Sequence, residues 1–330
     1  MTFTPFVKRV RVASDNLRKV FAPTPLQFSS ELSIRHNAKV YLKREDCTPV
    51  RSYKIRGAYT KMTDICSGKT TAPSVVTCSA GNHAQGVAFS CYAFQVRGDI
   101  FMPKHTSQQK IKRVQRLGGN FVKIVLEGDT FDECEAKARD HCSTTSQTFL
   151  HPFDDERVIE GQGTVGLEIL EQVPESLDYV VLPIGGGGLA AGVSSYIREM
   201  YPVGQIFGAG PLGAPAMYQS LLQSKIVNLD RIDSFVEGAS VKRVGERNFP
   251  MIQSNMKSMF QIENGHICSK ILDMYNEHGM ILEPAGVLSL CALDCMDVTG
   301  KVVVVVLSGG NADANRMPEI LERASLYKRG

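Results

Sequence analysis

Short runs of β-branched and aliphatic residues recur along the chain at 39–43, 74–78, 98–102, 121–125, 148–151, 179–184, 205–209 and 301–307. Stretches with apolar residues three and four apart separate them, at 82–95, 107–117, 131–141, 158–172, 189–200 and 285–296. This alternation predicts strands joined by crossover helices, an α/β fold of parallel sheets flanked by helices. The runs 180–184 and 302–307 are apolar throughout, as central strands covered on both faces are. A basic N-terminal stretch (Lys8, Arg9, Arg11, Arg18, Lys19) predicts an amphipathic first helix with a solvated face. A transit peptide is the other reading, because Asp15 is the single acidic residue before Glu31. No repeat of about 20–50 residues and no Pro/Ser linker marks a domain boundary. Ligands of such sheets bind beyond the carboxyl ends of the strands, so the turns after each strand carry the search for chemistry.

Composition narrows the classes. The 330 residues are 43% hydrophobic and 22% charged, which excludes collagen-like and disordered chains. That length favours about two domains. Lysine and arginine number 37 against 34 acidic residues, a net charge of +3 with both signs interspersed, so no nucleic-acid partner is expected. The longest clean apolar run has six residues, far short of the roughly 20 of a membrane helix, so no membrane partner is expected either. Nine scattered cysteines, an odd number without a CxxC pair, fit a reducing cytoplasm better than a disulfide framework.

Four turns carry candidate chemistry. After 179–184 come Gly185, Gly186, Gly187 and Gly188, then Leu189 and a helix, a backbone able to point successive N–H groups at one anion. The string also satisfies G-x-G-x-x-A, but the next strand ends without the carboxylate that a dinucleotide ribose needs, so a phosphate cradle is the better reading. A tight structural turn would use the same glycines. Before a second helix stands Arg51-Ser52-Tyr53-Lys54-Ile55-Arg56-Gly57; Arg51 and Arg56 would disfavour the Lys54 ammonium, and a neutral amine can form a Schiff base with an aldehyde. A surface lysine in a basic turn is the plain alternative. Ser79-Ala80-Gly81-Asn82-His83 follows the run 74–78 and offers hydroxyl, amide and N–H groups to a carboxylate. His83 there is more often an orienting group than a base. Ser308-Gly309-Gly310-Asn311 presents a hydroxyl after the last strand. No HExxH or paired-carboxylate motif is present.

Together these strings resemble the fold-type II pyridoxal-phosphate enzymes, a tryptophan synthase β-like fold, and among them the threonine dehydratases. The other strings carrying the resemblance are Tyr41-Leu42-Lys43-Arg44-Glu45-Asp46, Gly161-Gln162-Gly163-Thr164, Glu237 to Gly245 and Glu283-Pro284-Ala285-Gly286. They run in the family's order over nearly the whole chain. The resemblance implies a discontinuous large domain, residues 1–65 and 153–330, with a small domain, 66–152, inserted in it. It implies pyridoxal 5'-phosphate on Lys54 beside Tyr53, its phosphate on Gly185–Gly188 and the Leu189 amide, its phenolic oxygen near Asn82 and its ring nitrogen facing Ser308. Ser79, Ala80, Gly81, Asn82 and His83 would hold the substrate carboxylate, and Glu283 would line the cofactor site or cap a turn. The implied reaction is β-elimination of L-threonine to 2-oxobutanoate and ammonia, the entry to isoleucine synthesis, by a cytoplasmic or organellar homodimer or homotetramer.

Departures from the pattern limit the rivals. Related serine racemases carry a second base at the position of Ala80, so racemisation is not expected. Their divalent-cation carboxylates are missing from 210–216, so no metal is expected. Biosynthetic relatives continue into a regulatory domain where this chain stops, so isoleucine feedback is not expected. A serine dehydratase or threo-3-hydroxyaspartate ammonia-lyase uses the same scaffold. A non-catalytic binding homologue would have no chemical need for Lys54.

Overall fold

The computed structural model describes residues 3–68 and 73–327. Among these residues ten strands form two sheets: β1 Leu26–Phe28, β2 Lys39–Arg44, β3 Ser74–Cys78, β4 Arg97–Met102, β5 Val122–Leu126, β6 Thr148–Phe149, β7 Tyr179–Pro183, β8 Gln205–Pro211, β9 Ser258–Ile262 and β10 Val302–Leu307. The larger sheet has the order β1-β2-β10-β7-β8-β9, and the smaller β5-β4-β3-β6. Every pairing is parallel except the edge pair of β1 with β2.

The strand β10 divides the main core. All six of its residues are buried, and side chains alternate across a strand. Val303, Val305 and Leu307 pack with helices Asn264–His278 and Leu288–Asp294. Val302, Val304 and Val306 pack with helices Glu156–Gln172 and Gly188–Met200 on the other face. Each fully buried valine contributes about 1.5–3 kcal/mol, so one strand anchors both layers. The small sheet is layered likewise: Ala84, Val87, Ala88 and Cys91 of helix Asn82–Phe94 cover one face, and Cys134 and Ala138 of helix Phe131–Thr144 the other.

The N-terminal helix Pro5–Leu17 buries Val7, Val10, Ala13 and Leu17, as its pattern requires. Other boundaries move. The run 148–151 yields only Thr148–Phe149, because the His151 ring nitrogen accepts the Phe153 and Asp154 N–H groups at 3.2 and 2.7 Å and turns the chain. The stretch 285–296 is a 3₁₀ turn, Pro284–Gly286, followed by a short helix, Leu288–Asp294. Proline has no N–H to give a continuous helix there, and Gly286 lies so close to the Gly309 carbonyl that a Cβ would stand 2.2 Å from its oxygen. The strands β1 and β9 and the helix Asn264–His278 are additions to the expected elements.

Candidate active site

Three of the four turns leave adjacent strands of the large sheet, β2, β10 and β7, and the fourth leaves β3 of the small one. Backbone contacts lock the turns after β2 and β10 together: Tyr53 N–H donates to Ser308 O at 3.1 Å and Gly310 N–H to Arg51 O at 2.9 Å. The helix Lys54–Ser67 then starts against helix Glu156–Gln172, with Gly161 pressed onto the Arg56 carbonyl. The Asn82 amide bridges the two lobes, donating to Glu283 Oε1 at 2.5 Å and accepting from Asn311 Nδ2 at 2.6 Å.

Lys54 meets the glycine turn through one segment, Pro152–Phe153. Its Nζ donates to the Pro152 carbonyl at 2.7 Å and stands 5.3 and 6.0 Å from the Tyr53 and Phe153 ring centres. A Cβ on Gly186 would sit 2.5 Å from the Phe153 ring, and one on Gly188 2.8 Å from its carbonyl oxygen. Gly187 has φ +98°, a conformation that glycine tolerates and side chains resist. It caps helix Gly188–Met200, whose first N–H groups have no partner within the helix and face the turn. Asn248, which no motif signalled, steadies this turn by donating to the Gly186 and Phe153 carbonyls at 2.9 and 3.1 Å.

Burial pushes the Lys54 amine down to about 8, with Glu283 the one carboxyl opposing the shift. That corrects the sequence argument: Arg56 points away from Lys54, into Glu45 and Glu168. Burial also pushes the Glu283 carboxyl up to about 7 against the pull of Asn82. His83 is buried beneath its turn with Nε2 3.1 Å from Leu150 O, and burial with Lys54 nearby holds it neutral, down at about 3. Its place in the structure is a tie between helix and small sheet rather than a free group at the turn. Ser79 accepts from Gly81 N–H at 3.2 Å, leaving the N–H groups at the start of helix Asn82–Phe94 open. Ala80 lies in that turn and carries no titratable group. Ser308 is buried and donates to Ala285 O at 3.0 Å.

The residues fit a pyridoxal phosphate. Ser52 Oγ and Asn311 Oδ1, on the turns that flank Lys54 and Asn82, are buried polar atoms with no protein partner. The glycine turn carries no side chains of its own, so what it offers a ligand is backbone N–H groups, which suits a phosphate. For cations the fit is poor. The turn at 210–216 meets one carboxylate, Asp233, whose oxygens are taken by Phe235 N–H and Asn264. Among the described residues, Glu31, Glu277 and His278 have metal-ligand spacing, but both glutamates already pair with Arg35.

Comparison with known proteins agrees with this geometry. Residues 17–309 match the family model described as pyridoxal-phosphate dependent enzyme. A biosynthetic L-threonine dehydratase of Halalkalibacterium halodurans is 44% identical over 98% of this chain and 78% of its own. The processed form of threonine deaminase isoform 2 from Solanum lycopersicum superposes with a TM-score of 0.91 at 34% identity, covering 98% of this chain and 95% of that one. Maize serine racemase gives 0.88 at 26%, covering 96% and 97%. With a half-buried lysine, a glycine cradle and a matching family model over most of its length, the chain belongs to the pyridoxal-phosphate dependent enzymes.

Proposed function

We propose that this chain is a threonine ammonia-lyase, converting L-threonine to 2-oxobutanoate and ammonia at the start of isoleucine synthesis. The observation that carries the chemistry is Lys54, a half-buried lysine whose amine is held at about 8, has no ion-pair partner among the described residues and donates to the Pro152 carbonyl on the segment that backs the glycine turn. Similarity to threonine dehydratases over 98% of the chain supports the substrate.

Bound pyridoxal phosphate supplies a ring that accepts electron density from the substrate's α-carbon. The protein supplies the rest. Gly185, Gly186, Gly187, Gly188 and the Leu189 amide hold the phosphate by N–H groups at a helix start. Ser79 with the Ala80 and Gly81 backbone orients the substrate carboxylate. Lys54 Nζ takes the α-proton as general base, a role open to an amine whose pKa lies near the working pH. Asn82, fixed by Glu283 and Asn311, would hold the ring's oxygen side, and Ser308, its O–H turned from the Ala285 carbonyl, would donate to the nitrogen side. A hydroxyl there, unlike a carboxylate, leaves the ring nitrogen unprotonated and favours loss of the β-hydroxyl. Ala80 has no proton to deliver to the opposite face, which speaks against racemisation.

We place the site between a large domain, 1–65 and 153–330, and a small one, 66–152, each around its own sheet. A homodimer or homotetramer in the reducing cytoplasm is the setting we favour; all nine thiols are free. No helix among the described residues is long and apolar enough to cross a membrane.

The test is a 2-oxo-acid assay of the enzyme loaded with pyridoxal phosphate, on L-threonine, L-serine and threo-3-hydroxyaspartate. Threonine should give the highest kcat/KM, although one methyl separates it from serine by only about 1–3 kcal/mol. A lead of serine or hydroxyaspartate overturns the substrate, and no product from any of them overturns the activity.

Glu283 gives a pH prediction. Its carboxyl is protonated below about 7 and ionised above, and Oε1 accepts from Asn82 in both forms. Glu283→Gln keeps the acceptor and removes the titration, so the limb of the kcat/KM profile near pH 7 should vanish. Glu283→Ala should lower kcat/KM by roughly tenfold, the worth of one buried hydrogen bond. A limb that persists in Glu283→Gln belongs to another group.

A further inference from the structure

The helix Gln108–Gly118 turns one face toward the mouth of the site. With its side-chain amide turned about the Cγ–Cδ bond, Gln109 donates to Asp313 Oδ1 at 2.7 Å, and Lys110 pairs with Glu237. Residues three and four apart share a helix face, so Arg113 points toward the same loops. It is half-buried, and its guanidinium has no hydrogen bond or ion pair among the described residues. Burial and the like charge of Arg51 hold its pKa below the usual arginine value, while Glu283 opposes them.

Arg51 stands on the other side. Its backbone is left-handed, φ +56°, a conformation uncommon for a side-chain-bearing residue. Two hydrogen bonds hold it there, Arg51 N–H to Thr48 O at 2.8 Å and Gly310 N–H to Arg51 O at 2.9 Å. The guanidinium lies against Gly310, with Nη2 3.2 Å from where a Cβ would be. It too lacks an ion pair among the described residues, although Arg44, seven residues earlier, pairs with Asp46. Two partly desolvated guanidiniums without carboxylates are costly unless a ligand completes them. Their planar forks match a carboxylate two bonds at a time.

We propose that Arg51 and Arg113 form a second carboxylate subsite at the mouth of the active site, which therefore takes dicarboxylic amino acids as ligands. The α-carboxylate rests on the Ser79 turn and the side-chain carboxylate lies between the guanidiniums. This rests on the reading of the Ser79 turn given above.

L-Aspartate and L-asparagine test it, since they share a shape and differ in side-chain charge. Calorimetric titration of the holoenzyme should show aspartate binding at least about tenfold more tightly, a 1.4 kcal/mol preference. Arg113→Gln should bring aspartate to the asparagine level and leave asparagine unchanged, and Arg113→Lys should keep part of the preference. Equal affinities in the unmodified enzyme, or equal weakening of both ligands by Arg113→Gln, overturn the subsite. Acetate binding as tightly as aspartate overturns the link to the Ser79 turn and leaves a site for free carboxylates. Threonine turnover by the unmodified enzyme tests the parent reading separately: turnover with equal aspartate and asparagine affinities overturns the subsite alone.

Discussion

Replacing Lys54 with alanine is expected to abolish 2-oxobutanoate formation and the visible absorbance of lysine-bound pyridoxal, while far-UV circular dichroism stays unchanged. Loss of a general base alone lowers kcat by roughly 10²–10⁴, and Lys54 is also the covalent anchor, so a fall beyond 10³ is expected. Lys54→Arg should be equally inactive, because a guanidinium keeps its proton at any working pH. A readout without turnover exists in the cofactor-free protein. Burial lowers the amine from the ordinary 10.5 to about 8. The cost of holding its charge inside is therefore fully present below pH 8 and fades as pH rises from 8 to 10.5. Lys54→Met should melt above the unmodified protein at pH 7, and the gap should close by pH 10.5. Activity within tenfold of the unmodified enzyme would remove Lys54 from the mechanism.

The turns that make this site were legible because each carries residues a strand-to-helix joint does not otherwise need. Four successive glycines, or a lysine one residue after a tyrosine at a helix start, are local signals. The runs 180–184 and 302–307 were legible too, since burial on both faces leaves no polar position to blur them. The partners that position the site carry no such mark. Phe153, whose ring and carbonyl back the glycine turn, and Asn248, which bonds to it, lie far from it in sequence and belong to no repeating pattern. Asn264–His278 buries Ile267, Ile271 and Met274 at helical spacing, but its other positions are mixed enough to dilute the signal. The cause of the Lys54 shift was also hidden: sequence proximity pointed to Arg56, whereas the fold turns that side chain away and lets burial act.

Arg56→Met is expected to cost about 3–5 kcal/mol of stability, the range for removing one partner of a buried ion pair. Arg56 is wholly buried two residues after Lys54, and its donors are all engaged. Nε and Nη2 hold Glu45 at 2.7 and 2.8 Å, Nη1 and Nη2 hold Glu168 at 2.7 and 2.8 Å, the second Nη1 N–H goes to Thr164 at 3.1 Å, and Thr24 Oγ1, 3.2 Å from Nη2, shares one of the two Nη2 N–H groups. Lys43 completes the cluster on Glu168 at 2.6 Å. Two cations and two carboxylates thus balance where water does not reach, and they join the Lys54 helix, β2, the following turn and helix Glu156–Gln172. Without Arg56, Glu45 keeps Thr24 but loses its cation, and Glu168 keeps Lys43 as its one ion-pair partner, with the Thr24 N–H and hydroxyl at 3.2 and 3.3 Å. Removing Glu45's charge as well, in Arg56→Met/Glu45→Gln, should recover at least half of the loss, since the penalty comes mainly from the unpaired carboxylate. Acid gives an independent check. Burial alone would raise Glu168, but Arg56 and Lys43 hold it down at about 2 against an ordinary 4.5. Its contribution is present above pH 4.5 and lost as pH falls toward 2, so the stability lost over that interval should shrink in Arg56→Met. Urea unfolding at pH 7 and at several acid values measures all three. A cost below about 1 kcal/mol, or a double variant no more stable than the single one, would mean that the cluster does not hold the Lys54 helix in place.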